Sequence, residues 1–263
     1  MVLLFLTGGL THVSATEKLT IYFYNPEINI TRNAVLKNTF DLYLQSQGDY
    51  QFQPVEKKET FEALIKYKNN AIFMMSNWHY LQLRANKRLK NSQLVLRGTK
   101  NGKDTYHKIL VCKDPKLKPK TINLATSGNK EYTRAVLSGM HSTLSASQLQ
   151  NLNLLTVPKD IDALMAVDFG LADAALTTKS SLDKLSILYK SQNKSLYIIG
   201  ESEAQKRLAV VFKQIPQPEY EQIKSILKQM VNHKKGKRGL NMLGLDDWRL
   251  VDELLDQKKR TVK

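Results

Sequence analysis

A serine followed three residues later by a lysine is the spacing of a serine acyl-transfer pair, in which the amine would activate the hydroxyl. It occurs at Ser127/Lys130, Ser181/Lys184, Ser191/Lys194 and Ser225/Lys228. Repeated hits in a chain with 40 Lys and Arg, without an SDN or KTG companion, are what chance produces. The five histidines, His12, His79, His107, His141 and His233, form no i, i+4 pair of metal ligands. The single cysteine, Cys112, excludes an internal disulfide, a CxxC redox pair and a cysteine-rich zinc site. Gly-x-Ser-x-Gly, GxGxxG, HExxH and a phosphate loop ending in Gly-Lys-Ser/Thr are all missing. The sequence therefore assigns no catalytic residue, no metal ligand and no cofactor. An enzyme would need a base, and only His79 and His107 offer one, neither with a recognisable orienting carboxylate.

Two junctions between an apolar run and a helical pattern carry more information. Met75-Ser76-Asn77 precedes a helix with Trp78, His79 and Tyr80, and Ala125-Thr126-Ser127-Gly128-Asn129 precedes one with Tyr132 and Arg134. Unpaired N–H groups and the dipole make a helix start an anion site, and open α/β sheets bind ligands at the carboxyl ends of their strands. Ordinary N-capping by Ser, Thr and Asn explains either junction taken alone. Two of them facing one cleft would favour binding.

The elements that must position these junctions alternate along the chain. Leu19 to Tyr24 reads as a strand, and Asn33 to Gln47 as a helix with Val35, Leu36, Phe40, Leu42 and Leu44 at helical spacing. Tyr50 to Val55, Ala71 to Met75 and Gln93 to Leu96 follow as strands, separated by helices at Thr60 to Tyr67 and Asn77 to Arg88. Gly98 to Asp104 is a turn-rich connector and a candidate boundary. Beyond it the pattern restarts, with strands at Tyr106 to Cys112, Thr121 to Leu124, Leu152 to Val157, Asp173 to Leu176, Ser195 to Ile199 and Arg207 to Phe212. Helices are expected at Lys130 to Met140, Asp160 to Val167 and Glu219 to Val231. This predicts an α/β protein of two lobes, each a mostly parallel sheet flanked by helices.

The chain has 263 residues, 42% of them hydrophobic, and 40 Lys and Arg against 24 Asp and Glu give a formal charge of +16. That composition excludes a largely disordered chain. A positive field attracts nucleic acid, anionic lipid and small anions alike, but no RNA-binding aromatic motif or zinc-finger spacing accompanies it, so no nucleic-acid partner is assigned. The apolar run from Val2 to Leu10 and the small residues ending Val13-Ser14-Ala15 read as a signal peptide over residues 1–15, without its basic start. Mature protein would then begin near Thr16 and be exported to the periplasm, with the basic end from Gln257 to Lys263 a solvated tail.

In order and spacing, Ile21 to Pro26, Phe61-Glu62-Ala63-Leu64, Tyr80, Tyr106 to Asp114, Thr126-Ser127-Gly128, Gly170 to Ala175 and Gly239 to Leu245 resemble the type 2 periplasmic binding proteins. The likeness is to the phosphate/phosphite/phosphonate-binding family that serves ABC transporters. It implies a first lobe of residues 16–105 with 205–263, a second lobe of 106–204, and crossover strands as hinge. It further implies a monomer, not an enzyme, that closes on a small anionic ligand and hands it to a membrane permease. The cleft positions it implies are Tyr24, Asn25, Ser76, Asn77, Tyr80, Tyr106, Thr126, Ser127 and Gly128. Here Thr177-Thr178 stand where the family often has an aspartate for a ligand ammonium group, Ser76-Asn77 replace a common Gly-Pro, and Trp78 and His79 are bulky. Those departures keep open a larger or more apolar ligand, and a sensor coupled to a membrane signalling partner.

Overall fold

The computed structural model describes residues 18–28, 33–116, 121–142, 144–188 and 196–252. The expected signal peptide, His12, the Ser191/Lys194 pair and the basic tail lie outside the described residues. The chain begins with β1 (Leu19–Tyr24), α1 (Asn33–Leu44), β2 (Tyr50–Pro54), α2 (Lys58–Tyr67), β3 (Ala71–Met75), α3 (Asn77–Ala85) and β4 (Ser92–Thr99). It crosses through β5 (Thr105–Tyr106) into β6 (Lys108–Cys112), β7 (Ile122–Thr126), α4 (Lys130–Ser138), β8 (His141–Ser142), α5 (Ala146–Gln150) and β9 (Leu152–Thr156). Then come α6 (Asp160–Asp168), β10 (Ala174–Thr178), α7 (Lys179–Leu188) and β11 (Tyr197–Glu201). It returns through β12 (Gln205–Lys206) to β13 (Ala209–Lys213), α8 (Gln217–Gln229), α9 (Lys234–Met242) and β14 (Asp247–Leu250).

Two six-stranded sheets result, in the orders β14-β4-β13-β3-β1-β2 and β8-β11-β6-β10-β7-β9. Parallel pairing holds β2-β1-β3 and β9-β7-β10, whereas strands next to the crossovers pair antiparallel. The two crossing segments pair with each other, Tyr106 opposite Gln205 and Thr105 opposite Lys206. Each return strand is thereby delivered to the middle of its sheet, which mixes strand directions there.

Cover on both faces explains why β1, β3, β6 and β13 are buried at every position. Leu19, Ile21 and Phe23 of β1 enter one cluster with Leu36, Phe40 and Ile223, while Tyr22 and Tyr24 enter another with Phe61, Phe73 and Tyr80. In the second sheet Leu110 and Cys112 face Tyr132 and Val136, and Ile109 and Val111 face Leu164 and Val167. The α1 stripe differs from its expected form: Leu36, Thr39, Phe40, Tyr43 and Leu44 are buried, and Val35 and Leu42 are exposed. Gly98, expected in a connector, lies inside β4, where a side chain would collide with Leu245 at 2.6 Å. Helix α9 escapes sequence detection because its contact surface is glycine: a Cβ on Gly236 would lie 2.4 Å from the Met230 carbonyl oxygen. Strand β14 is also missed; it is four residues long and buries Trp248 against the first sheet.

Candidate functional site

The loops after β1, β3, β7 and β9 leave the carboxyl ends of parallel strands, and the crossover segments run between them. Ser76, fully buried, caps α3 by accepting the His79 amide at 3.1 Å. Asn77 and Tyr80 are both held by Arg97, a β4 residue 8% exposed. Its guanidinium donates to Asn77 Oδ1 at 2.6 Å and lies 5.4 Å over the Tyr80 ring. Tyr24 packs in the core against Phe61 and His79, and its hydroxyl is pushed up to about 12, chiefly by burial. Asn25 turns the chain back by accepting the Glu27 amide at 3.0 Å. Tyr24, Asn25, Pro26, Ser127, Asn129 and Thr156 help line a cavity of about 300 Å³ between the lobes. That volume suits a small ligand.

The second-lobe junction is more enclosed than the sequence suggested. Ser127 is fully buried, and the helix cap is Asn129, which accepts the Tyr132 amide at 2.9 Å. Thr126 Oγ1 lies 3.3 Å from Thr133 Oγ1 and accepts the Gly128 amide at 3.2 Å. The Asn129 amide donates to the Pro26 carbonyl at 2.8 Å. Ser127 Oγ is 2.6 Å from Asp160 Oδ1 and 3.2 Å from the Glu27 carbonyl oxygen. Asp160 also receives Lys108 Nζ at 2.9 and 3.0 Å, a pair in which the lysine side chain is 3% exposed. These junction groups are therefore engaged by the β1 loop and by Asp160.

The residue at the centre is Glu27, which sequence reasoning missed. Its carboxylate accepts the Tyr106 hydroxyl at 2.5 Å, with the Trp78 backbone and Lys108 near. Tyr106 Oη lies 3.2 Å from Tyr132 Oη, and the Tyr132 hydroxyl donates to Gln205 Oε1 at 2.9 Å. Burial pushes the Glu27 carboxyl up from its ordinary range, and burial with the Glu27 charge holds both tyrosines well above theirs. Both phenols stay protonated and remain donors. The lobes also meet where Lys58 pairs with Glu131 at 2.7 Å and where the Trp78 ring meets the edge of Tyr132 at 5.7 Å. Glu27 carried a weak sequence signal, since it follows Asn25-Pro26 directly at the end of β1; Asp160 and Lys108 carried none beyond their helix-start and strand positions.

Neither histidine considered as a base is built as one. His107 Nδ1 lies 2.9 Å from the Ser202 carbonyl oxygen, and Glu201, 3.4 Å away, is well exposed. His79 is fully buried, with no hydrogen-bond partner for Nδ1 or Nε2, and Glu62 lies 3.7 Å from Nε2. Burial first, then Lys58, pushes its pKa from 6.5 down to about 4. Unfolded chain takes up this proton as the pH falls through 6.5 and folded chain only near 4, so stability is lost across that window. His79→Phe is expected to flatten this loss, by up to roughly 3 kcal/mol at pH 4, in urea unfolding between pH 7 and 4. Parallel profiles for parent and variant would show that His79 is not buried neutral. Among the described residues no group of three His, Cys, Asp or Glu could hold a metal.

No family model matches the chain, and no curated protein matches it. Solved structures do. PhnD1 from Prochlorococcus marinus MIT 9301, in complex with methylphosphonate, superposes with a TM-score of 0.60 at 11% identity, over 89% of this chain and 92% of that one. The chain has the type 2 periplasmic-binding-protein fold. A binding-protein component of an ABC phosphonate transporter from Pseudomonas aeruginosa shares the fold at TM-score 0.58 and 14% identity, over 92% and 85% of the two chains. So does Xanthomonas citri XAC2383 bound to ATP, at 0.55 and 12%, over 88% and 90%. Glu27, Tyr106, Tyr132, Lys108 and Asp160 gather where the two lobes meet. No helix among the described residues is long and apolar enough to cross a membrane.

Proposed function

We propose that the protein is an exported solute-binding protein that takes a small oxyanion, of the phosphate or phosphonate class, between its lobes and presents it to a membrane transporter. One observation carries this reading: the Tyr106 hydroxyl donates to a buried carboxylate where the lobes meet, with the Trp78 backbone and Lys108 beside it. A set of groups that holds one anion in a buried place is electrostatically suited to another. The solved neighbours crystallised with methylphosphonate or serving a phosphonate transporter support the ligand class. Binding energy in such a hinge comes from completing contacts on both lobes together.

Thermal unfolding of the mature chain with inorganic phosphate, methylphosphonate, sulfate and ATP tests this. A ligand at one hundred times its Kd stabilises by about 2.7 kcal/mol. Stabilisation by phosphate or methylphosphonate is expected; stabilisation by none of the four, or by apolar metabolites only, would overturn the oxyanion.

A further inference from the structure

We propose that Glu27 is an internal ligand of the cleft, its carboxylate tying the two lobes together in the place a solute anion takes, so that solute binds by displacing it. The competition with solute rests on the oxyanion reading above; the tie between lobes does not.

Glu27 sits on the first-lobe loop after β1, yet its surroundings come from everywhere else. Tyr106 belongs to the crossover, Trp78 to the start of α3, and Lys108 to the first strand of the second lobe. The loop itself is gripped from the second lobe, by the Asn129 amide on the Pro26 carbonyl oxygen and by Ser127 Oγ near that of Glu27. Pulling the lobes apart must break these contacts and separate the carboxylate from Lys108.

The fit is nonetheless incomplete, which separates an occupant from a fixed structural strut. Oε1 of Glu27 is buried without a hydrogen-bond partner, the residue being only 8% exposed. The hydrogen count explains the deficit. Tyr106 and Tyr132 have one hydroxyl hydrogen each; Tyr106 gives its own to Oε2 and Tyr132 gives its own to Gln205 Oε1. Neither phenol has a hydrogen left for Oε1. The nearby Asp160 charge also opposes a second carboxylate in the cleft. A buried carboxylate oxygen left unpaired is costly, and swinging the side chain into water recovers its solvation. A tetrahedral oxyanion arriving there would meet the Tyr106 hydroxyl and the Lys108 ammonium without being tethered to a loop.

The test compares the parent chain with Glu27→Ala and Glu27→Gln, the second keeping the side-chain volume that the first removes. Small-angle scattering should show a larger radius of gyration for Glu27→Ala than for the parent, because the tie is gone, and a smaller increase for Glu27→Gln, whose amide oxygen still accepts the Tyr106 hydroxyl. Calorimetric titration with inorganic phosphate and with methylphosphonate should show at least tenfold tighter binding to Glu27→Ala, because the competitor is gone. Unchanged radii in both variants would overturn the tie. Equal affinity, or weaker binding to Glu27→Ala, would overturn the competition, the latter making Glu27 a contact of the solute. Expanded variants that bind neither anion would keep Glu27 as the tie, remove its role as competitor, and place the failure in the oxyanion reading.

Discussion

Asp160→Ala is expected to cost roughly 3–5 kcal/mol of stability, the largest single effect in the cleft. Lys108, 3% exposed in the centre of the second sheet, has both of its short ion-pair contacts to Asp160. Without that carboxylate the buried ammonium loses its close partner and keeps only the neighbouring Glu27 charge, and the Ser127 hydroxyl loses its 2.6 Å acceptor. Neutralising both partners should recover most of the loss, since a buried pair and its uncharged replacement are often near parity. Urea unfolding of Asp160→Ala, Lys108→Met and Lys108→Met/Asp160→Asn measures this. A single variant within about 1 kcal/mol of the parent would mean that the charges are solvated rather than buried together. The doubly neutral chain should fold and still bind solute poorly, because the cation of the cleft is gone.

The second large effect is expected at Gly128, where one methyl group should weaken solute binding tenfold or more. A Cβ there would lie 2.7 Å from Tyr132 Cδ1 and 3.2 Å from Thr133 Oγ1. Tyr132 cannot give way cheaply: it is fully buried, its hydroxyl donates to Gln205 at 2.9 Å, and the ring of Trp78 meets it from the other lobe. Moving that ring disturbs the Tyr106 to Tyr132 contact, and through it the donor that Tyr106 offers in the cleft. Overpacking of this kind costs about 1–3 kcal/mol, so the folded chain should survive with a lowered melting temperature. Calorimetry on Gly128→Ala with the anion that stabilises the parent decides it; affinity within twofold would show that the ring relaxes freely.

Much of the fold was legible because it is written in local pattern. The runs Leu19–Tyr24 and Ala71–Met75 are buried at every position and apolar but for Thr20, as a strand covered on both faces favours. Helix α2 declared itself through Phe61 and Ile65, and the junctions at Ser76 and Asn129 through the residue types that cap helices. Where packing replaces periodicity the pattern failed. Helix α9 presents Gly236 and Gly239 to Met230 and Phe40, and no hydrophobic stripe marks it. The candidate site was legible only in outline, as Tyr24, Asn25, Ser127 and the strand-to-helix turns. Which amides and hydroxyls there were already engaged could not be read from the turns alone.

By itself, then, the sequence determined the alternation of strands and helices, the helix starts at the carboxyl ends of strands, and the absence of recognisable nucleophile, thiol and phosphate-loop motifs. These follow from side-chain volume, polarity and spacing within a dozen residues. Tertiary structure alone decided that Glu27 meets Tyr106 across 79 residues, that Lys108 and Asp160 neutralise each other across 52, and that Ser127 faces a carboxylate. Such partnerships form because two crossing segments fold one lobe onto the other, and charges removed from water together must find one another wherever they stand in the chain.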